Sequence, residues 1–308
     1  MARKKNLLLA LDAFGTIFTP KNTVFAQYAE VARSHRVSCP SDSELQKSFK
    51  VAFKDESKQH PNYGKAVGMG AATWWANVIT KTFQPHLKQE EQIPRGMISD
   101  LLTRFSTKDG YAIYPDVLPF FEMLCRKKAQ PSLQTPWTWD TTVVGVITNS
   151  DDRVPGVLES LGLTVGPRRV GTPSQRSKET GVDRDISFVV LSYDVGYEKP
   201  HQKIFDAAKQ MLQETLIGEK PEDQRRGVDD FELLYVGDEI QKDYMGAQNA
   251  GWHAVLVERD SDEALPSPED LHIVKRDVDT TDESCSTTRE QVSVINDLRA
   301  LCSWSPGT

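Results

Sequence analysis

Five apolar residues in a row, Leu7-Leu8-Leu9-Ala10-Leu11, stop abruptly at Asp12. A run that short cannot cross a membrane, which takes about 18–20 apolar residues. It also lacks the alternation of a strand with one wet face. It fits a strand buried on both faces, and such strands belong to parallel sheets covered by helices on either side. The basic start, Met1-Ala2-Arg3-Lys4-Lys5, gives a faint likeness to a signal peptide, but the apolar stretch is shorter than the ~7–15 residues such peptides use. The chain is therefore expected to open on a core strand.

Residues 20–106 carry a different pattern. Val24, Tyr28 and Val31 recur at helical spacing behind possible caps at Asn22 and Thr23. Leu45, Phe49, Ala52 and Phe53 do the same behind Ser41 and Asp42. Trp74, Trp75, Val78 and Ile79 form a third stripe, and Met97, Leu101 and Phe105 a fourth, opened by Pro94. Successive amphipathic helices of this kind can bury one another as a small bundle.

From about residue 112 strand-like and helix-like segments alternate. Strands are expected over Val143–Thr148, Ser187–Ser192, Leu233–Gly237 and Ala254–Val257, and helices over Asp116–Arg126, Val154–Leu161, Lys203–Gln213 and Lys242–Ala250. Alternation implies right-handed crossovers and a parallel sheet. The expected fold is α/β: a doubly wound parallel sheet with a Rossmann-like core and an inserted α-helical cap domain. Residues 1–19 and 107–308 would form the core and residues 20–106 the cap. The connections Gln130–Thr141, Gly166–Asp185 and Gly218–Asp229 are polar and long. Residues 258–288, rich in acid, Ser and Thr, are expected to be a mobile loop. Val292, Ile295, Leu298 and Cys302 then predict a last helix packed on the core.

A chain of 308 residues is long enough for two separate cores. Its net charge of -7 argues against a nucleic-acid or anionic-membrane partner, because either needs a basic patch. The four cysteines, Cys39, Cys125, Cys285 and Cys302, are scattered and form no Cys-x-x-Cys. Neither a disulfide framework nor a zinc site is expected, and a reducing cytoplasmic location, or a nuclear one, fits best.

In an open parallel sheet ligands sit at the C-terminal ends of the strands, so the residues after each apolar run carry the chemistry. Asp12-Ala13-Phe14-Gly15-Thr16 follows the first run, and Thr148 and Asn149 follow Val143–Ile147. Gly196-Tyr197-Glu198-Lys199-Pro200 lies just beyond Ser187–Ser192, and Gly237-Asp238, with Asp243 after it, ends Leu233–Val236. Each element alone is ordinary, since an Asp or Thr-Asn after a strand is commonly a turn or helix cap. Their order and placement together are not ordinary. A carboxylate nucleophile at Asp12 needs positive charge to approach a phosphate, and Lys199, the Thr148 hydroxyl and the Asn149 amide can hold phosphate oxygens. Asp12, Asp238 and Asp243 would repel one another unless a hard cation such as Mg²⁺ sat among them.

These segments resemble the signature motifs of the haloacid dehalogenase superfamily over most of residues 7–257. The fourth motif, Gly237-Asp238 with Asp243, Gly246-Ala247 and Ala250-Gly251, is its most specific part. A helical cap between the first two motifs is similar to that of subfamily I. His60-Pro61-Asn62-Tyr63-Gly64 and Thr73-Trp74-Trp75 look like the branch containing haloacid dehalogenase-like hydrolase domain-containing protein 3. The resemblance implies a hydrolase, with a phosphatase acting on a small phosphorylated metabolite as the leading expectation. Asp12 would be nucleophile and Mg²⁺ ligand, and Thr148, Asn149 and Lys199 would bind the transferred group, Lys199 also acting in catalysis. Asp238 and the Phe14 carbonyl would bind the metal, with Asp243 supporting it. The cap would close over the site and select substrate.

Phe14 departs from the pattern, because family phosphatases carry an acid/base aspartate there. Losing general acid–base catalysis removes about 10²–10⁴-fold in rate, so weak turnover, or a binding role without turnover, is a second expectation. An aromatic at that position also resembles the metal-independent haloacid dehalogenases, which lack the acidic pair and use a cap arginine. Arg33 and Arg36 lie in the first cap helix and are expected at the surface. Trp74 and Trp75 are expected to pack the cap core, and His60 to cap or close a loop.

Overall fold

The computed structural model describes residues 5–171, 184–217, 226–259, 271–281 and 287–307. It divides into two compact units, Met1–Thr19 with Ile113–Asn149 and Gly162–Thr308, and Pro20–Ala112 with Ser150–Leu161. The first strand, β1, spans Asn6–Leu11. A short ribbon of β2 (Phe18–Pro20) and β3 (Tyr111–Ile113) carries the chain out of the first unit and back.

The first unit is built on an eight-stranded sheet. Its strands are β1, β4 (Thr141–Thr148), β5 (Val165–Arg169), β6 (Ile186–Leu191), β7 (Phe231–Gly237), β8 (His253–Val257), β9 (Val274–Thr281) and β10 (Thr287–Ile295). Their order is β5-β6-β4-β1-β7-β8-β10-β9, parallel throughout except for the antiparallel β9–β10 pair. β1 lies between β4 and β7, with Leu11 opposite Val146 and Val236, so the strand ends meet. Leu7–Leu11 is wholly buried, as an apolar strand between two layers must be. Leu8 and Ala10 pack with Phe188, Ile204, Phe205, Ala208 and Leu212, which places helix α8 (Gln202–Ile217) on that face. Leu7, Leu9 and Leu11 point the other way. On that side helix α5 (Val117–Ala129) sets Phe121 and Leu124 beside Val144. Single turns, α7 (Ser192–Val195) and α9 (Gly246–Asn249), complete the unit.

Part of the expected loop 258–288 is structured. β9 and β10 form a hairpin at the sheet margin. The expected last helix is likewise absent over Val292–Ile295, which is strand, and only Leu298–Ser303 makes a short 3₁₀ turn. The reason is a period of two: Val292 and Val294 share one face and enter the core, with Val278 packed against them. Residues 260–270 and 282–286 lie outside the described residues. So do 172–183 and 218–225, which take most of two of the polar connections. The connection Gln130–Thr141 is anchored by buried Trp137, which donates to Thr142 Oγ1 at 2.8 Å, and by buried Trp139, stacked on Trp304.

The second unit is helical, with α1 (Val24–Ser34), α2 (Asp42–Gln59), α3 (Ala71–Phe83), α4 (Arg95–Arg104) and α6 (Val154–Ser160). Thr23 caps α1 by accepting from the Ala26 N–H, and Glu44 at the start of α2 accepts from the Ser41 N–H. Trp74 is buried with Ala52 and Val78, and Trp75 packs beside them. Trp75 Nε1 also donates to buried Asp151 at 2.7 Å, and Asp151 takes a forked pair from Arg153 at 2.8 Å for each bond. His60 closes α2 and sets its ring on buried Glu56, which also pairs with Lys81. Arg33 and Arg36 are exposed. Among the described residues no helix is long and apolar enough to cross a membrane.

Candidate active site

Asp12 sits at the C-terminal end of β1, still tied to the sheet by its N–H, which donates to Val236 O at 2.9 Å. The side chain is buried. The loop beyond it turns back at once: Phe14 bridges Phe18, and the Gly15 N–H donates to Phe18 O at 2.9 Å. Gly15 adopts a left-handed φ of 71°, which an L side chain resists. The Phe14 ring lies edge-on to Phe18 at 4.7 Å. Arg259, just past β8, braces this loop. It donates to Thr16 O at 2.6 Å and to Asp116 Oδ2 at 2.8 Å, with both side chains buried.

Lys199 reaches the same point from the loop after β6. Its Nζ lies 2.9 Å from Asp12 Oδ1, an ion pair without the alignment of a hydrogen bond, and 2.6 Å from Asp243 Oδ1. A third partner, Tyr235 of β7, receives a bond from Nζ at 2.7 Å. Asp243 comes from a π-helical turn, Ile240–Met245, and its Oδ2 accepts from the Glu239 N–H at 2.9 Å. Such turns recur at functional sites because they re-aim a side chain within a helix. Asp12, Asp238 and Asp243 each bring one carboxylate oxygen within 4.8 Å of the others. Thr148 is buried at the end of β4, and its side chain helps to hold the Asp12 carboxyl down against burial.

Asn149 follows Thr148 and meets the Lys199 loop. Its amide clasps the Lys199 backbone in both directions, accepting from the Lys199 N–H at 2.7 Å and donating to the Lys199 carbonyl at 3.0 Å. It therefore holds the lysine loop through its carbonyl and one N–H, and the amide has a second N–H to donate. Asp243 is committed, one oxygen to Lys199 and the other to Glu239. Sequence reasoning missed Tyr235 and Arg259.

The charges are strained as they stand. Burial raises the Asp12 carboxyl, Lys199 opposes this, and Asp243 adds to it, with a net upward shift. Burial alone would lower the Lys199 ammonium, but Asp12 and Asp243 more than offset it and hold it above its usual value. Asp238 is open to solvent on one side and walled by protein on the other. The protein side, with the charges of Asp12 and Asp243, pushes its carboxyl up to about 6. Three carboxylates facing one ammonium fit a hard divalent cation, which takes oxygen ligands and relieves their repulsion.

A sequence profile of the haloacid dehalogenase-like hydrolases matches residues 7–251. The chain belongs to this family. Its relatives include an uncharacterised hydrolase of Schizosaccharomyces pombe, 32% identical over 252 residues that cover 82% of this chain and 90% of the relative. Haloacid dehalogenase-like hydrolase domain-containing protein 3 of Bos taurus is 26% identical over 259 residues, 83% of this chain and 84% of that one. Among solved structures, the magnesium-bound hydrolase YfnB of Bacillus subtilis aligns at a TM-score of 0.47 and 14% identity, covering 82% of this chain and 89% of that one.

Proposed function

We propose that this haloacid dehalogenase-like hydrolase is a Mg²⁺-dependent phosphatase that cleaves small phosphorylated metabolites through an aspartyl phosphate on Asp12. The observation that carries the reading is the convergence of Asp12, Asp238 and Asp243 on one point beside a buried Lys199. An Asp12 oxygen attacks phosphorus, the bond from phosphorus to the ester or acyl oxygen breaks, and the leaving group departs with the electron pair. Lys199 and Thr148 hold phosphoryl oxygens as charge redistributes. Water then attacks the aspartyl phosphate, releasing phosphate and a proton and restoring the carboxylate. Asp12, Asp238 and the Phe14 carbonyl would hold Mg²⁺, with Asp243 in support, and the ion would supply charge neutralisation for the incoming phosphate. Asn149 keeps Lys199 in place. The reaction belongs to the cytosol or nucleus on this reading, with a small phosphorylated molecule as substrate.

Phe14 favours a second reading, a slow or ligand-binding member of the family, because no side-chain acid stands two residues after the nucleophile. The acidic cluster weighs against a metal-independent dehalogenase. A panel of aryl, acyl and alkyl phosphates, assayed with and without Mg²⁺, decides among the three. The phosphatase reading expects Mg²⁺-dependent turnover that disappears in Asp12→Asn. Turnover of haloacids without metal, or no turnover of any phosphate, overturns it.

A further inference from the structure

An ammonium group has three N–H bonds, and inside the protein Lys199 faces three partners: it donates to Asp243 and Tyr235 and makes a less well aligned ion pair with Asp12. To hold a phosphoryl oxygen it must release one partner. The misaligned contact to Asp12 is the one to yield, because the other two are shorter. Asp243 and Tyr235 are then the anchors that decide where the released N–H points.

The Tyr235 hydroxyl is itself oriented. It has a single proton, and the Ile147 carbonyl accepts it at 2.9 Å, closer than Asp243 Oδ1 at 3.2 Å. With the proton directed at Ile147, a lone pair faces Lys199. Ile147 immediately precedes Thr148, and Asp243 belongs to the fourth motif. One hydroxyl on β7 therefore links the ends of β4 and β7 to the lysine that follows β6. Burial, with the charges of Asp243 and Asp12, holds the phenol well above its ordinary pKa, so it remains a hydroxyl. Its ring packs edge-on to Phe205 at 5.5 Å, a contact that phenylalanine would keep.

We propose that Tyr235 is a positioning residue of the phosphoryl-transfer site, holding the Lys199 ammonium at the angle from which it can pass from Asp12 to a phosphoryl oxygen. The proposal rests on the phosphatase reading above. Tyr235 touches no substrate and acts through Lys199.

Tyr235→Phe is the test, in the full chain at saturating Mg²⁺. Its kcat for nitrophenyl phosphate should fall about 10-fold with KM held within about 3-fold, since a misaimed ammonium fails chiefly in the transition state. Beryllofluoride, which mimics the phosphoryl group on Asp12, should bind more weakly. In a Lys199→Ala background the same substitution should cause no further loss of beryllofluoride affinity, because its effect passes through the lysine. A purely structural role would lower the melting temperature and leave these ratios alone. The Lys199 ammonium resonance should be sharp in wild type and broadened in Tyr235→Phe, a readout independent of turnover. Unchanged kcat together with an unchanged ammonium signal overturns the proposal. A wild type with no turnover and no beryllofluoride adduct sinks the phosphatase reading instead, and the ammonium signal still decides whether Tyr235 holds Lys199.

Discussion

Gly15 leaves no room for a side chain beside Asp238: a Cβ there would overlap the carboxylate oxygens. The close approach holds an exposed carboxylate against the nucleophile loop, so the glycine shapes the metal site although it offers no ligand atom.

Gly15→Ala should therefore displace Asp238. Its left-handed φ adds strain of about 1–2 kcal/mol for a non-glycine residue, which urea denaturation would read. Mg²⁺ affinity, measured by calorimetry, should drop about 10-fold or more, as when the support of a metal ligand is lost. Unchanged affinity would remove Asp238 from the proposed ligand set.

Asp12→Asn should abolish turnover, because an amide cannot form the acyl phosphate. Without metal the variant should melt no lower than wild type, since burial and the Asp243 charge disfavour the ionised Asp12 carboxyl that it replaces. A well-folded variant that still turned over, free of contaminating phosphatase, would sink the covalent route.

Phe14→Asp should restore a general acid. Nitrophenyl and acyl phosphates leave as weak bases and gain little, whereas alkyl phosphates leave as strong bases. The alkyl-to-aryl ratio should rise, up to the ~10²–10⁴-fold that such catalysis supplies. Loss of the edge contact with Phe18 will cost some stability, so the ratio is taken on protein shown to be folded and Mg²⁺-saturated. A flat ratio would mean that the missing acid does not limit the enzyme.

The pH dependence has a defined sign. The Asp238 carboxyl is raised to about 6 in the folded protein, above its unfolded value near ~3.9. Its contribution to apo stability is therefore full below the unfolded value and is lost as pH rises through about 6. Mg²⁺ needs the ionised carboxylate, so protons compete with the metal. The rise in melting temperature on adding Mg²⁺ should be large at pH 7.5 and small at pH 5. Equal rises at both pH values would show that Asp238 does not bind the ion.

The Asp116–Arg259 pair is buried, and Asp116 Oδ2 also accepts from the Leu298 N–H at 2.6 Å. Removing one partner of such a pair leaves a stranded charge and costs about 3–5 kcal/mol. Arg259→Met should lose that much in chemical denaturation. Combining it with Asp116→Asn should recover part of the loss. A loss under about 1 kcal/mol, the scale of exposed pairs, would show that the bridge is not formed in solution.

The strand ends were legible because short apolar runs announce buried parallel strands, and the polar residue that ends each run is conspicuous. Asp12, Thr148 and Asp238 stood out that way, and Lys199 a few residues beyond its run. Tyr235 could not, because an aromatic inside Phe231–Gly237 is an ordinary strand residue, and two of its hydroxyl's three partners stand 36 and 88 positions away. Arg259 meets Thr16 across 243 positions. Asn149 was correctly placed beside Lys199, but its type does not say whether an amide faces a ligand or a backbone. The β9–β10 hairpin was hidden by composition: its acids, Ser and Thr resemble solvated chain, and only the alternation of Val292 and Val294 betrays a core-facing strand.

That hairpin changes what a minimal version of the protein can be. Every member of the acidic site precedes β8, so a fragment ending near residue 259 would contain all the chemistry. Yet β10 lies along β8, with Val294 opposite Leu256 and Ile295 opposite Val257. Trimming it would bare a row of unpaired N–H and C=O groups beside apolar side chains, a template for any other strand. It would also withdraw the Leu298 N–H from Asp116. Such a fragment would become sticky before it became inactive, emerging from a sizing column as aggregate with its carboxylates still in place.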